Sequence, residues 1–303
     1  MGSVSAPGLA VAVAEAGGVG SITAMGMTPA HLDQVLAGMT AQTDGALAVN
    51  FLTANIDRET VAAAAARARI VDFFWADPDP ALVQIAHAGG ALACWQTGSL
   101  AEAQAAADAG CDVVVVQGTE AGGHIRGHSP LLPLLEQAVA RLDVPVLAAG
   151  GIGSARSFAT VLARGAAGAR VGTRFVATPE SGAHPVYKQA VADAGPGSTE
   201  ITDAFAECPL CATVPRARVL RSCVDAVRGL PGGTAGETTL GGQRITLSKG
   251  HGLPPGTAAT GHIEAMAMYA GDSAADVPAV EPVSHVMRSW AEAAAASSAG
   301  PGH

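Results

Sequence analysis

The sequence predicts an α/β fold built on a parallel sheet: a (β/α)8 TIM barrel with its first strand missing and a small lid inserted late in the chain. Three observations carry that reading. From the start to about residue 190, Ala-rich helical stretches alternate with short runs of Val, Ile and Leu. The runs are apolar throughout, the mark of strands covered on both faces. No G-x-G-x-x-G follows the first strand and the glycine-rich turns come after late ones, which weighs against the rival architecture, a doubly wound open sheet.

The elements follow in order. Residues 7–16 read as a helix stopped by Gly17 and Gly18, and VGSIT as the first strand. Thr28 and Pro29 open the next helix as N-cap and first helical residue; the strand GALAVNF at 45–51 and a helix at 57–69 come after it. The pairs continue as IVDFFW with 78–88, GALACW with 99–109, CDVVVVQ with 130–141 and VPVLAAG with 154–164, and GARVGTRF is the last strand. That makes about seven strands. A closed barrel has eight and opens with a strand, whereas this chain opens with a helix.

The core of the fold is therefore residues 1–192. Residues 193–260, with GLPGGTAGETTLGGQ and GLPPGT, break the rhythm and read as an inserted lid that shapes the substrate region. Residues 261–303 are expected to close the fold with two helices, GHIEAMAMYAG and VSHVMRSWAEAAAA, and a frayed tail.

Composition narrows the function. The 303 residues are 49% hydrophobic and carry a formal net charge of −9, which disfavours nucleic acid as the partner. No apolar run reaches the length of a membrane span, and MGSVSAPGLA lacks the basic and apolar regions of a signal peptide, so a cytoplasmic protein is expected. MGSVSA meets an N-myristoylation pattern only loosely, because Ala6 stands where Ser or Thr is needed. Cys94 and Cys111 sit in strand-like runs as small buried hydrophobes. Cys208 and Cys211 form a lone C-x-x-C without a second pair, so no metal site is expected.

Ligands of parallel α/β folds bind at the carboxyl ends of strands, which singles out four turns. Asn50 ends one strand and Gln117 another, and their amides suit the edge of a flat heteroaromatic ring. Gly150 and Gly151 end a third strand and lead into a helix that starts near Ser154. The turn Arg170, Val171, Gly172, Thr173 ends the fourth. Bare backbone and unpaired N–H groups at two adjacent late strands make an anion site, with phosphate the natural occupant. His124 follows Gly122 and Gly123 at the same rim, beside Gln117. His128 lies further along and is left out of the site, and Glu120 is read as structural, accepting backbone N–H bonds in its turn.

In this order, QGTEAGGH, VPVLAAGGI and GARVGTRF followed by Glu180, Tyr187 and Lys188 resemble the nitronate monooxygenase family, formerly called 2-nitropropane dioxygenases. AEAGGVGSI, VNF and AMYAG extend the resemblance over nearly the whole chain. It implies an FMN-dependent (β/α)8 barrel that oxidises alkyl nitronates, and in some members nitroalkanes, with O2. It also implies that Asn50, Gln117, Gly122, Gly123, Gly150 and Gly151 touch FMN, that the backbone of 170–173 holds its phosphate, and that His124 is the catalytic histidine. The partners are then a small substrate and O2, with a homodimer as one expected assembly. FMN-dependent enoyl-ACP reductases share the scaffold, which makes an NAD(P)H-dependent reduction of thioesters or quinones the alternative. A flavin-free barrel with a binding role is a third reading, from another class.

Two departures from the family stand out. Its members begin with a strand upstream of the point where this chain begins, so Met1 is expected to be an internal methionine. DAFAECPLCATVPRARVLRS at 203–222 replaces a shorter acidic-aromatic phrase and leaves the substrate open.

Overall fold

In a computed structural model that describes residues 4–52, 56–207, 214–240 and 243–298, the alternating beat becomes a curled, seven-stranded parallel sheet. The strands are β1 (Gly20–Thr23), β2 (Leu47–Leu52), β3 (Ile70–Phe74), β4 (Leu92–Thr97), β5 (Val113–Gln117), β7 (Val146–Ala149) and β8 (Gly168–Arg170). Each pairs with the next in that order, so the barrel is open and β1 and β8 are its edges. The short strand β6 (Gly123–His124) leaves the barrel and joins β9 (Thr199–Thr202) and β10 (Ala217–Leu220) in a separate antiparallel sheet, with β10 in the middle.

The helices start where the caps say. The helix α1 (Pro7–Glu15) precedes the first strand. In α2 (Pro29–Thr40) the Thr28 hydroxyl accepts the His31 N–H at 3.3 Å, and Pro29 fills the first position. Asp57, Asp79 and Ser99 cap α3 (Arg58–Ala65), α4 (Pro80–Ala88) and α5 (Leu100–Asp108) in the same way. The helix α6 (Leu131–Val139) has Pro130 before it and no cap of its own, and the Glu120 carboxylate accepts the Leu131 N–H instead. Glu120 is thus structural, as its turn suggests.

Alternate residues of the strands face outward, so Val49, Val71, Phe73, Ala93, Trp95, Val114, Val116 and Ala148 pack under the helices in one large core. The helices α7 (Ala155–Ala163) and α11 (Val283–Ser298) join it, with Phe158 stacked on Trp290. A second core gathers Val4 with residues from Val176 to Val277, including buried side chains of α9 (Pro185–Ala192), β10 and α10 (Arg221–Gly229). Within 193–260 the chain also builds a hairpin of β11 (Thr234–Leu240) and β12 (Gln243–Ser248), to which β13 (Thr260–Gly261) adds a third strand.

Two expectations are corrected. GHIEAMAMYAG is no helix: after β13 it holds a single 3-10 turn at Ile263–Ala265 and then runs extended to Gly271. Residues 265–268 are buried without a break, so no polar face marks a helical period. The last barrel strand also stops early, at Arg170, and Thr173 opens the four-residue helix α8 (Thr173–Val176). No helix among the described residues is long and apolar enough to cross a membrane. Cys94, Cys111 and Cys223 are buried free thiols, while Cys208 and Cys211 lie outside the described residues.

Candidate active site

The turn after β5 is built around glycines. Gly123 has a φ of +80°, and a Cβ on Gly122 would lie 2.4 Å from the Gly271 nitrogen, so the chain can pass this close only without a side chain. It then enters β6, where Gly123 pairs with Arg218 and His124 with Ala217. Gln117 holds the same loop from below. Its Nε2 donates to the His124 carbonyl at 3.0 Å, and its Oε1 accepts the Arg126 N–H at 3.1 Å. The amide expected to face a ligand is thus spent on placing His124.

The His124 ring lies between two aromatic rings, Trp75 at 5.9 Å edge-on and Tyr269 at 5.6 Å. Burial disfavours the imidazolium and brings its pKa down to about 4. His124 is therefore neutral at physiological pH and can accept a proton.

The glycine turn after β7 is left-handed at both Gly150, with φ +114°, and Gly151, with φ +67°. A capping box closes the following α7: Ser154 accepts the Ser157 N–H, and the Ser157 hydroxyl accepts those of Gly153 and Ser154 at 3.1 and 3.0 Å. The Ser154 hydroxyl donates to Asp276 at 3.3 Å. What remains for an anion is the amides of Gly151 and Ile152, which find no acceptor among the described residues. Across from them, the amides of Gly172 and Thr173 are likewise unspent, and a Cβ on Gly172 would meet nothing within 4 Å. The Thr173 hydroxyl is engaged, accepting the Gly271 N–H at 2.9 Å. Of the four turns, these two come together as a cradle of bare backbone.

Inside the barrel lies a group that strand patterning does not announce. Asp72 of β3 is 2% exposed, and its Oδ2 takes the Arg170 guanidinium at 2.7 Å and the Asn50 amide. Asn50 and Arg170 are thus drawn together, but by Asp72 and below the rim. The other oxygen, Asp72 Oδ1, is buried with no hydrogen-bond partner among the described residues, as is the Ser21 hydroxyl on β1. Asp72 is the one charged residue in IVDFFW, a visible signal. Trp75 and Tyr269 had none, because only the fold brings them to His124. Tyr187, Glu180 and Lys188 buttress the site from outside: the Tyr187 hydroxyl donates to the Tyr269 carbonyl, Glu180 accepts the Val283 N–H at 3.1 Å and Lys188 donates to the Pro179 carbonyl at 3.0 Å. Among the described residues no cluster of acidic, His or Cys side chains could hold a metal.

The chain resembles several known proteins in both sequence and shape. It is 35% identical over 190 residues to a (3aS,4S,5R,7aS)-5-hydroxy-7a-methyl-1-oxo-octahydro-1H-indene-4-carboxyl-CoA dehydrogenase of Rhodococcus jostii, a match covering 60% of this chain and 51% of that protein. The chain thus spans about half the length of that curated relative. The structure of a nitroalkane oxidase from Streptomyces ansochromogenes superposes with a TM-score of 0.74 at 28% identity, covering 97% of this chain and 94% of that one. FabK from Thermotoga maritima superposes with a TM-score of 0.75 at 25% identity, covering 97% and 91%. The family model for nitronate monooxygenase matches residues 46–290, and this chain belongs to that family of oxidoreductases.

Proposed function

We propose that this chain oxidises alkyl nitronates with O2 on bound flavin mononucleotide, with His124 as the residue that meets the nitro compound. The observation that carries the reading is a partly buried, neutral imidazole at the same rim as two unspent backbone turns. The amides of Gly151, Ile152, Gly172 and Thr173 would hold the phosphate, and the bare position at Gly172, where a Cβ would meet nothing within 4 Å, leaves room at the backbone for a large flat group. When bound, the flavin supplies the electron transfer between nitronate and O2.

His124 does the proton chemistry. With a nitroalkane, its neutral nitrogen takes the proton from the carbon next to the nitro group and leaves the nitronate. With a substrate already in the nitronate form, the ring N–H donates a hydrogen bond to a nitro oxygen. Trp75 and Tyr269 flank the imidazole and cover part of it. The Asp72–Arg170–Asn50 cluster stiffens the barrel floor beneath.

The test is oxygen uptake by protein loaded with flavin mononucleotide, given ethylnitronate. Uptake in the wild type is the expected outcome, and with nitroethane supplied in its place His124→Ala is expected to lose about 100-fold or more. Full flavin occupancy with no oxygen uptake on any nitronate would overturn the reading. A second reading, oxidation or reduction of a coenzyme A thioester, draws on the Rhodococcus relative and on a cavity of about 390 Å³ beside Trp75, lined by Arg126, His128 and Arg216. Arg216 there has no carboxylate partner among the described residues, so it is available to an anionic tail. Anaerobic bleaching of the flavin by NADPH or by an acyl-CoA would select it.

A further inference from the structure

We propose that Trp75 is a positioning residue for His124, held over the imidazole by Arg126; this rests on the reading of His124 as the reactive group. Trp75 follows β3 and has a φ of 87°, the only left-handed residue other than glycine among the described residues. A bulky side chain does not adopt that conformation unless its surroundings impose it. Here the imposing group is Arg126, whose Nη1 donates to the Trp75 carbonyl at 2.6 Å.

Arg126 is itself immobilised. Its Nε is held by Glu102 at 2.9 Å and its Nη2 by Asp77 at 2.7 Å, so each guanidinium nitrogen has an acceptor. Its main chain belongs to the His124 loop, because the Arg126 N–H and the His124 carbonyl end on the two sides of one amide, that of Gln117. One residue therefore ties the backbone that carries the imidazole to the backbone that carries the indole. The indole meets the imidazole edge-on at 5.9 Å, with Tyr269 as the other neighbouring ring. In a relaxed extended conformation Trp75 would carry its ring elsewhere, and His124 would lose one of its two walls.

A core-filling role does not account for this arrangement. Trp95, on the next strand, fills the core: it is fully buried and donates its indole N–H to the Ala76 carbonyl at 3.1 Å. Trp75 is only partly buried and borders the cavity that reaches Arg126, His128 and Arg216. It stands between the reacting group and the open side of the molecule.

The test uses Trp75→Gly, which accepts the left-handed backbone without a ring, Trp75→Phe, which keeps a ring, and Arg126→Lys, which cannot serve three acceptors at once. Two readouts are taken on the flavin-loaded protein: kcat and KM for a nitroalkane, and the His124 titration followed by NMR in a His128→Gln background. The charged and titratable groups on the segments packed around His124 are Asp77, Arg126, His128, Arg216, Arg218, Tyr269 and Asp272, and the chain's amino group also lowers the His124 pKa. Burial pushes the Tyr269 phenol up, away from the range in which His124 is followed. Trp75→Gly is expected to lower kcat about tenfold or more, leave KM nearly unchanged, and move the His124 midpoint up towards 6.5. Arg126→Lys is expected to shift both in the same direction, and Trp75→Phe to restore most of each. A folded Trp75→Gly protein whose kcat and His124 midpoint match the wild type would overturn the proposal. His124→Ala with full activity would instead overturn the parent reading, and the titration would still decide the role of Trp75.

Discussion

At residue scale, the partly buried imidazole of His124 couples activity and stability to pH in the same direction. The folded-state pKa of His124 is about 4, below the ordinary value of 6.5. In the unfolded chain the ring binds its proton near pH 6.5, whereas the folded protein resists it until about pH 4. The contribution of this group to stability is therefore intact above pH 6.5 and falls away as the pH drops towards 4. Denaturant midpoints measured across that window should decline with falling pH in the wild type and decline less in His124→Phe. Above pH 5 the base remains available, so the acid limb of the kcat/KM profile should lie near pH 4 and not near 6.5. Much of this residue was legible in the chain, since EAGGH after a buried strand puts a histidine at the ligand rim. What was not legible was the use made of Gln117, whose partners are backbone groups of its own loop.

At the scale of elements, the glycine turns are defined by close approach as much as by any ligand. Gly122→Ala would drive a methyl group into the Gly271 nitrogen and the Ala270 carbonyl carbon, at 2.4 and 2.6 Å. Neither is a flexible side-chain end, so the turn must shift. Loss of about 1–3 kcal/mol in a chemical denaturation series is expected, together with weaker flavin binding. Helix starts were readable because each carries its own local chemistry, Thr28 with Pro29 and Ser154 with its box. GHIEAMAMYAG was misread for the opposite reason. It threads past the turn at Gly122 and its residues 265–268 are buried without a break, so that apolar run fits helix and extended chain alike.

Over the whole molecule, the rhythm of seven apolar runs translated directly into seven parallel strands, and the open barrel follows from that count. The pairing of Asp72 with Arg170 could not be read from the rhythm, because it joins β3 to β8 across the interior, strands far apart in both sequence and sheet order. Removing the acid alone leaves a largely enclosed guanidinium, 22% exposed, without its counter-charge. Asp72→Ala should therefore cost about 3–5 kcal/mol, and Asp72→Ala combined with Arg170→Met should recover much of it. Equal denaturation midpoints for the single and double variants would show that the loss does not come from a stranded guanidinium.

The antiparallel bridge between His124 and Ala217 also has a consequence in time. As the chain leaves the ribosome, the strands β1 to β8 can collapse while the segment that aligns the imidazole is still unmade. The barrel core and the reacting group thus belong to different moments of folding, separated by the synthesis of the region up to β10. A nascent or clipped chain that ends before Ala217 carries the whole EAGGH signature and yet has no strand on which to seat it. In a pulse-labelling experiment, amide protection at His124 should lag that of the β5 valines.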